Sequence, residues 1–157
     1  MTGILIADDN QNIRYLLRVY IESQTPFKVC GEAVNGTDTI EKAQQLLPEL
    51  VMLDFSMPLM TGIEAASVLK RMLPQTKILL FSLNVEGMPK SLVAELGVDL
   101  ALSKGDAFVG LAERLNSLLE PPLLQFEPPA PTVETLLAGS EIQTTDKPNS
   151  ETFKTDA

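Results

Sequence analysis

Residues 4–9 read Ile-Leu-Ile-Ala-Asp-Asp, and residues 50–54 read Leu-Val-Met-Leu-Asp. Both are short, continuous apolar runs that end directly in aspartate, and three more runs of similar character occur along the chain. Runs this short and this uniformly apolar are typical of strands that are buried on both faces of a parallel sheet. The sequence therefore predicts five strands, at residues 4–7, 27–33, 50–53, 77–81 and 100–102.

Segments with helical periodicity separate these runs. Apolar residues recur at the i, i+3, i+4, i+7 spacing of an amphipathic helix in residues 13–21, 65–73 and 111–119. A weaker match at residues 40–47 is stopped by Pro48. These segments predict four of the five helices that should connect the strands.

The remaining helical segment lies at residues 85–96. Gly87 and Pro89 leave its start undefined, and Gly97 is a suitable residue for its C-terminal end. Five strands alternating with five helices indicate an α/β fold, a doubly wound five-stranded parallel sheet with helices on both faces. Ligands of such sheets bind at the carboxyl ends of the strands, near the point where the strand order reverses.

Composition limits the classes of function. The chain has 157 residues and is 45% hydrophobic, which suits one ordinary domain. Its formal net charge is −9 with only 12 Lys and Arg, so we expect no direct binding to nucleic acid. The chain has no histidine and a single cysteine, Cys30, which excludes Ser-His catalysis, histidine-ligated metals and a thiolate zinc cage. Carboxylates are the groups left for chemistry.

The sequence changes character near Pro121. Residues 121–157 hold six of the eleven prolines, followed by a stretch rich in Thr, Ser and Glu. We predict a domain over residues 1–120 and a disordered tail over residues 121–157, with a docking peptide around a small apolar stripe as the alternative for the tail. No apolar run approaches the roughly 20 residues of a membrane span, and the N-terminus lacks the pattern of a secretory signal. We therefore expect a soluble, cytoplasmic protein with no membrane insertion.

Polar residues follow four of the five predicted strands. Asp8 and Asp9 follow the first, Asp54 the third and Ser82 the fourth, and Lys104 lies just beyond the fifth. Because parallel strands end at the same edge of a sheet, these side chains should converge there. Three carboxylates that lie this close repel one another and need a cation, and Mg2+ suits oxygen ligands that leave room for phosphate.

Each of these residues alone has an ordinary structural explanation, such as a helix N-cap, a loop acid, a turn residue or a surface cation. Together they suit phosphoryl transfer. Asp54 could attack phosphorus as a nucleophile and form an acyl phosphate. Lys104 would then neutralise the phosphoryl oxygens, while the Ser82 hydroxyl donates a hydrogen bond to one of them.

These motifs resemble the receiver domains of bacterial response regulators in two-component signal transduction. The resemblance runs from residue 3 to about residue 119 and implies the flavodoxin-like (β/α)5 receiver fold. The residues that carry it are 4–9, 53–54, 57–62 and 97–99, with Ser82 and Lys104.

The resemblance also implies the role of each site residue. Asp54 would be the phosphoacceptor, Ser82 the switch hydroxyl and Lys104 the phosphate-binding lysine. The implied Mg2+ ligands are Asp9, Asp54 and the backbone carbonyl of Ser56, with Asp8 acting mainly through metal-bound water. Gly62 is interpreted as a backbone device for the loop beside the site.

A phosphorylation switch of this kind would receive its phosphoryl group from a histidine kinase or a histidine phosphotransfer protein. It would be a phosphoprotein rather than a turnover enzyme, with self-catalysed phosphoryl transfer and slow autodephosphorylation at most. We expect the new charge to draw Ser82 and Lys104 inward and to change binding to an unidentified downstream protein. We expect no DNA-binding output domain, because residues 121–157 are too few and too polar to form one.

Three residues depart from the receiver pattern. Ala101 occupies a position where receivers commonly carry Tyr or Phe, three residues before the lysine. Leu83 follows the switch hydroxyl, where a small residue is usual, and could crowd the pocket entrance. Gly105 replaces a proline that many relatives have. The first two differences leave the phosphorylation chemistry intact but put the usual aromatic readout in doubt.

Two alternatives stay open. The domain could be a phosphate-independent adaptor whose tail carries the interaction, as Ala101 and Leu83 would permit. It could also be an aspartyl-phosphate phosphatase of the haloacid dehalogenase type. That family needs a second Asp two residues after the first, whereas residues 54–56 read Asp-Phe-Ser.

Overall fold

The structure, a computed structural model, describes residues 3–83, 85–106 and 108–120. The predicted tail at 121–157 lies outside these residues. The strands are β1 (Gly3–Ala7), β2 (Lys28–Ala33), β3 (Leu50–Asp54), β4 (Lys77–Ser82) and β5 (Leu100–Ser103). The helices are α1 (Gln11–Gln24), α2 (Gly36–Leu46), α3 (Gly62–Met72), α4 (Lys90–Glu95) and α5 (Leu111–Leu119), with a 3-10 turn at Lys104–Asp106. The predicted alternation of strands and helices is confirmed.

The five strands form one parallel sheet in the order β2-β1-β3-β4-β5. The chain passes from β1 outward to β2 and then returns to β3 on the other side of β1, so the strand order reverses between β1 and β3. Ala7 pairs with Leu53 across this reversal, which brings the aspartates that follow both strands to one edge. The predicted doubly wound fold is confirmed, and the site lies at its switch point.

Alternate residues of each strand face opposite helical layers. Ile4 and Ile6 of β1 join a buried cluster with residues of α1 and α5, whereas Leu5 and Ala7 join a cluster with residues of α2 and α3. Both faces of the sheet are therefore dry, which explains why the strands lack an alternating polar pattern.

The helix predicted at residues 85–96 begins later, at Lys90. Pro89 takes the N-cap position with φ −60°, and the Met88 N–H donates to the Val85 carbonyl in a turn. The start of this helix, which Gly87 and Pro89 left undefined in the sequence, therefore lies after a turn at residues 85–88. Gly97 has φ +72°, immediately after the C-cap, so the predicted glycine at the helix end is confirmed.

Candidate functional site

Three carboxylates meet at the carboxyl edge of the sheet. Asp8, Asp9 and Asp54 each offer an oxygen atom, and these atoms lie within 4.8 Å of one another. Asp8 and Asp54 are buried, whereas Asp9 is exposed to solvent. The cluster exists because β1 and β3 are neighbours in the sheet and end in register. It has the donor set and the spacing of a site for a hard cation.

Lys104 lies against the two buried members of this cluster. Its ammonium is 2.9 Å from Asp8 Oδ2 and 3.0 Å from Asp54 Oδ1. The 3-10 turn after β5 starts at Lys104, so the side chain reaches across the end of β4 toward β3 and β1. The ammonium contacts both carboxylates in this state, so it needs no inward movement to reach Asp54.

The electrostatics of Asp54 and Lys104 are coupled. Burial raises the pKa of Asp54, the hydrogen bond from Lys104 lowers it, and the charge of Asp8 raises it again, with a net upward shift. Burial would lower the pKa of Lys104, but its bonds to Asp8 and Asp54 outweigh that effect and raise it. The surroundings of Lys104 therefore favour its charged form, whereas those of Asp54 disfavour its charged form.

Backbone groups orient the two buried carboxylates. The Asn10 N–H donates to Asp8 Oδ1 at 2.8 Å, and the Ser56 N–H donates to Asp54 Oδ1 at 3.2 Å. Asn10 also caps α1, since its side chain accepts from the N–H groups of residues 12 and 13. Because Asn10 is the N-cap of α1, Asp8 and Asp9 are the only residues between the end of β1 and this cap.

Ser82 is the last residue of β4 and is buried. Asp54 pairs in register with Phe81, the residue before Ser82, which puts the hydroxyl at the same sheet edge as the acidic cluster. The structure thus brings every predicted strand-end residue to one edge of the sheet.

Gly62 lies directly behind the site. Its N–H donates to the Phe55 carbonyl at 3.0 Å, and a Cβ at this position would be 2.2 Å from the Asp54 carbonyl oxygen. A side chain cannot be accommodated that close to a backbone atom. The prediction that Gly62 serves the backbone of the adjoining loop is confirmed.

The positions that depart from the receiver pattern are also visible. Ala101 lines a cavity of about 460 Å3 beside α4 and β5. Leu83 is 84% exposed, so its side chain is not packed into the acidic pocket. The departure at Ala101 therefore leaves a space, and the departure at Leu83 adds an apolar side chain to the surface.

Comparison with known proteins identifies the family of this domain. The family model of the response regulator receiver domain matches residues 4–116, which include the acidic cluster, Ser82 and Lys104. The chain belongs to the response-regulator receiver family. Membership accounts for the strand-end residues and for the flavodoxin-like fold together.

Curated relatives of this receiver domain are longer proteins. The response regulator protein VraR of Staphylococcus aureus is 31% identical over 127 residues, which cover 77% of this chain and 61% of VraR. The chain thus spans about three fifths of the length of the curated relatives it matches.

Solved receiver structures superpose well on this domain. The response regulator domain of Thermotoga maritima CheB is 29% identical with a TM-score of 0.66, covering 75% of this chain and 93% of its own. TrrA of Thermotoga maritima, solved in complex with Mg(2+)-BeF, is 28% identical with a TM-score of 0.67, covering 76% of this chain and all of its own.

Two contacts of the site were not anticipated from the sequence. Arg14, on α1, donates from Nη1 to the Asp8 carbonyl at 2.8 Å and from Nε to Glu32 at 2.9 Å. No spacing in the sequence relates Arg14 to β2, because Arg14 appears there as one polar position of an amphipathic helix.

Among the described residues, no helix has the length and apolar character needed to cross a membrane.

Proposed function

We propose that this receiver domain accepts a phosphoryl group on Asp54 from a phosphohistidine of a partner protein, and that the resulting charge switches binding to a downstream protein. The observation that carries the proposal is the convergence of three carboxylates and one ammonium at the switch point of the sheet. Lys104 contacts two of the carboxylates and cannot neutralise all three. The remaining negative charge favours a divalent cation.

The residues present fit Mg2+. Asp9 and Asp54 would hold it with the Ser56 carbonyl, and Asp8 would act through water molecules. Asp9 is exposed, so an ion can enter from solvent, and the buried pair beneath it supplies a fixed negative floor. Bound Mg2+ would neutralise the oxygens of an incoming phosphoryl group. TrrA, which has the same fold, was solved with Mg(2+)-BeF.

The transfer itself is a displacement at phosphorus. An Asp54 carboxylate oxygen forms the new O–P bond while the N–P bond of phosphohistidine breaks, and the imidazole leaves with the bonding electron pair. The raised pKa of Asp54 reflects the cost of its buried charge, and Lys104 keeps an ammonium within reach of the phosphoryl oxygens. These 157 residues contain no histidine, so the donor histidine would lie outside them, on a histidine kinase or a histidine phosphotransfer protein.

The domain would act as a stoichiometric switch rather than a turnover enzyme, because the acyl phosphate remains on its own side chain until it hydrolyses. Ser82 lies at the end of β4 and leads into the segment before α4, so a hydrogen bond to the phosphoryl group would pull on that segment. We propose a protein as the downstream partner, since the acidic chain opposes direct contact with nucleic acid.

Phosphorylation with acetyl phosphate and Mg2+, followed by intact mass measurement, tests the proposal. We expect one added phosphoryl group on the wild type and none on Asp54→Asn. Asp106→Asn is the matched control, because it removes an exposed carboxylate close to Lys104 and should leave labelling unchanged. An unmodified wild-type mass, or equal labelling of Asp54→Asn, would refute the assignment.

A second candidate, the phosphate-independent adaptor, is favoured by the cavity at Ala101. Without an aromatic ring at this position, the domain lacks the usual readout beside α4 and β5. Partner capture with and without beryllofluoride separates the two candidates. Capture that depends on beryllofluoride supports the switch, whereas equal capture in both conditions and with Asp54→Asn supports the adaptor.

A further inference from the structure

Arg14 connects helix α1 to the backbone of the acidic cluster. Its side chain is only 11% exposed, and its guanidinium donates to two acceptors, the Asp8 carbonyl oxygen at 2.8 Å and Glu32 Oε2 at 2.9 Å. A planar guanidinium holds two acceptors at a set angle, which a flexible ammonium does not. Arg14 therefore ties the end of β1 to β2 through a rigid group.

The Asp8 backbone is held from both sides. Its N–H donates to the Ala33 carbonyl at the end of β2, at 3.1 Å, and its carbonyl accepts from Arg14. That carbonyl belongs to the peptide that joins Asp8 to Asp9. Because a peptide is planar, the direction of its carbonyl also sets the position of the Asp9 Cα atom. Asp9 is exposed, so its carboxylate depends on this backbone for its placement.

Glu32 holds the guanidinium of Arg14 in place. Its second oxygen, Oε1, accepts from Arg18 Nε at 2.7 Å, so two guanidinium groups share one carboxylate. Burial alone would raise the pKa of Glu32, but the hydrogen bonds from Arg18 and Arg14 lower it overall. The carboxylate stays ionised at neutral pH and keeps Arg14 oriented toward Asp8.

We infer that Arg14 is a positioning residue for the Mg2+ site, acting through the Asp8–Asp9 peptide rather than by touching the ion. The inference rests on the proposed function, in which the acidic cluster binds Mg2+. Charge and geometry predict opposite effects for the loss of Arg14. Removing a positive charge near three carboxylates should tighten cation binding, whereas releasing the peptide should weaken it.

Arg14→Met and Arg18→Met form a matched pair for the test. Each substitution removes one positive charge and one ion pair with Glu32, and each keeps an unbranched apolar stem. Only Arg14 also holds the Asp8 carbonyl, since the described contacts of Arg18 are with Glu32, Glu22 and Val29. The two variants therefore differ mainly in the contact on which the inference depends.

The measurement is the Mg2+ dissociation constant of the full chain by isothermal titration calorimetry, without any phosphodonor. We expect Arg14→Met to bind Mg2+ about 10-fold more weakly, the lower end of the effect of groups that orient metal ligands. Arg18→Met should bind Mg2+ as tightly as the wild type, or more tightly. A purely structural role would lower the thermal stability of both variants without separating their Mg2+ affinities.

Arg14→Lys provides a second measurement if the methionine variant does not fold. It keeps the charge but lacks the planar group that holds the two acceptors at a set angle, so Mg2+ affinity should still fall, by less than in Arg14→Met. Wild-type affinity in every Arg14 variant that folds, or tighter binding in Arg14→Met, would overturn the inference alone. A wild-type chain with no measurable Mg2+ binding would overturn the proposed function and this inference with it.

Discussion

Replacing Lys104 with methionine should destabilise the metal-free domain by about 3 kcal/mol, the lower end of the cost of breaking a buried ion pair by removing one partner. The Lys104 ammonium lies 2.9 Å from Asp8 and 3.0 Å from Asp54, and both carboxylates are almost completely buried. Each contact has a Coulomb energy of roughly 5 kcal/mol at an effective dielectric constant of about 20, much of it offset by desolvation. Methionine keeps most of the stem but leaves two like charges facing each other.

The pH dependence of this contribution follows from the raised pKa of Lys104. Burial opposes the charged form, but the bonds to Asp8 and Asp54 outweigh it. A pKa raised in the folded state means that the stabilisation is fully present below the ordinary value of 10.5 and is lost as the pH rises through the folded-state value. At neutral pH the whole effect of the substitution should therefore be visible.

Urea unfolding followed by far-ultraviolet circular dichroism gives the free energy of unfolding, in EDTA and then in millimolar Mg2+. We expect Mg2+ to stabilise Lys104→Met more than the wild type, because no ammonium competes with the ion for the carboxylates. Bound ligand at a hundredfold excess over its dissociation constant adds about 2.7 kcal/mol, enough to recover much of the loss.

Lys77→Met is the matched control. Its ammonium is 3.6 Å from Asp99 and its side chain is 45% exposed, so its loss should cost no more than about 0.5 kcal/mol. If Lys104→Met in EDTA were as stable as this control, the ion pairs at the site would not hold the buried carboxylates in place. The electrostatic account of the cluster would then be wrong.

Three further substitutions, one of them with a matched control, test the site and its surroundings. Asp54→Asn should stabilise the metal-free domain near neutral pH, because burial and the charge of Asp8 raise the pKa of Asp54. Wild-type stability should fall relative to this variant as the pH rises above the ordinary value of 3.8, as thermal unfolding over acid to neutral pH would show. Gly62→Ala should lower the free energy of unfolding in urea by more than about 1 kcal/mol, because the new Cβ would lie 2.2 Å from the Asp54 carbonyl oxygen. Gly105→Ala is the control. Its new Cβ would be 3.6 Å from the nearest atom, so the loss should stay within about 0.5 kcal/mol. Asn10→Ala should lower stability by about 1 kcal/mol by removing the side-chain cap of α1, and an unchanged urea midpoint would show that this cap contributes nothing.

Most of the sheet could be predicted because burial on both faces leaves a local signal. The apolar runs at 4–7 and 50–53 are too short for helices and too uniform for surface strands, and their first polar residues mark the strand ends. The start of α4 could not be predicted in the same way. Gly87 and Pro89 favour a turn, while the apolar residues around them favour a helix, and local patterns do not decide between the two.

The sequence by itself determined the strands. It also determined that the strand-end aspartates and Lys104 lie at one edge of the sheet, because the carboxyl ends of parallel strands lie at the same edge whatever the strand order. Tertiary structure alone decided which groups touch. Lys104 meets Asp8 across 96 positions of the chain, and Arg14 meets the Asp8 carbonyl and Glu32 through the packing of α1 against β1 and β2. Periodicity records which face of an element is dry, but a hydrogen bond depends on the angle and distance between two packed elements, and no single segment encodes these.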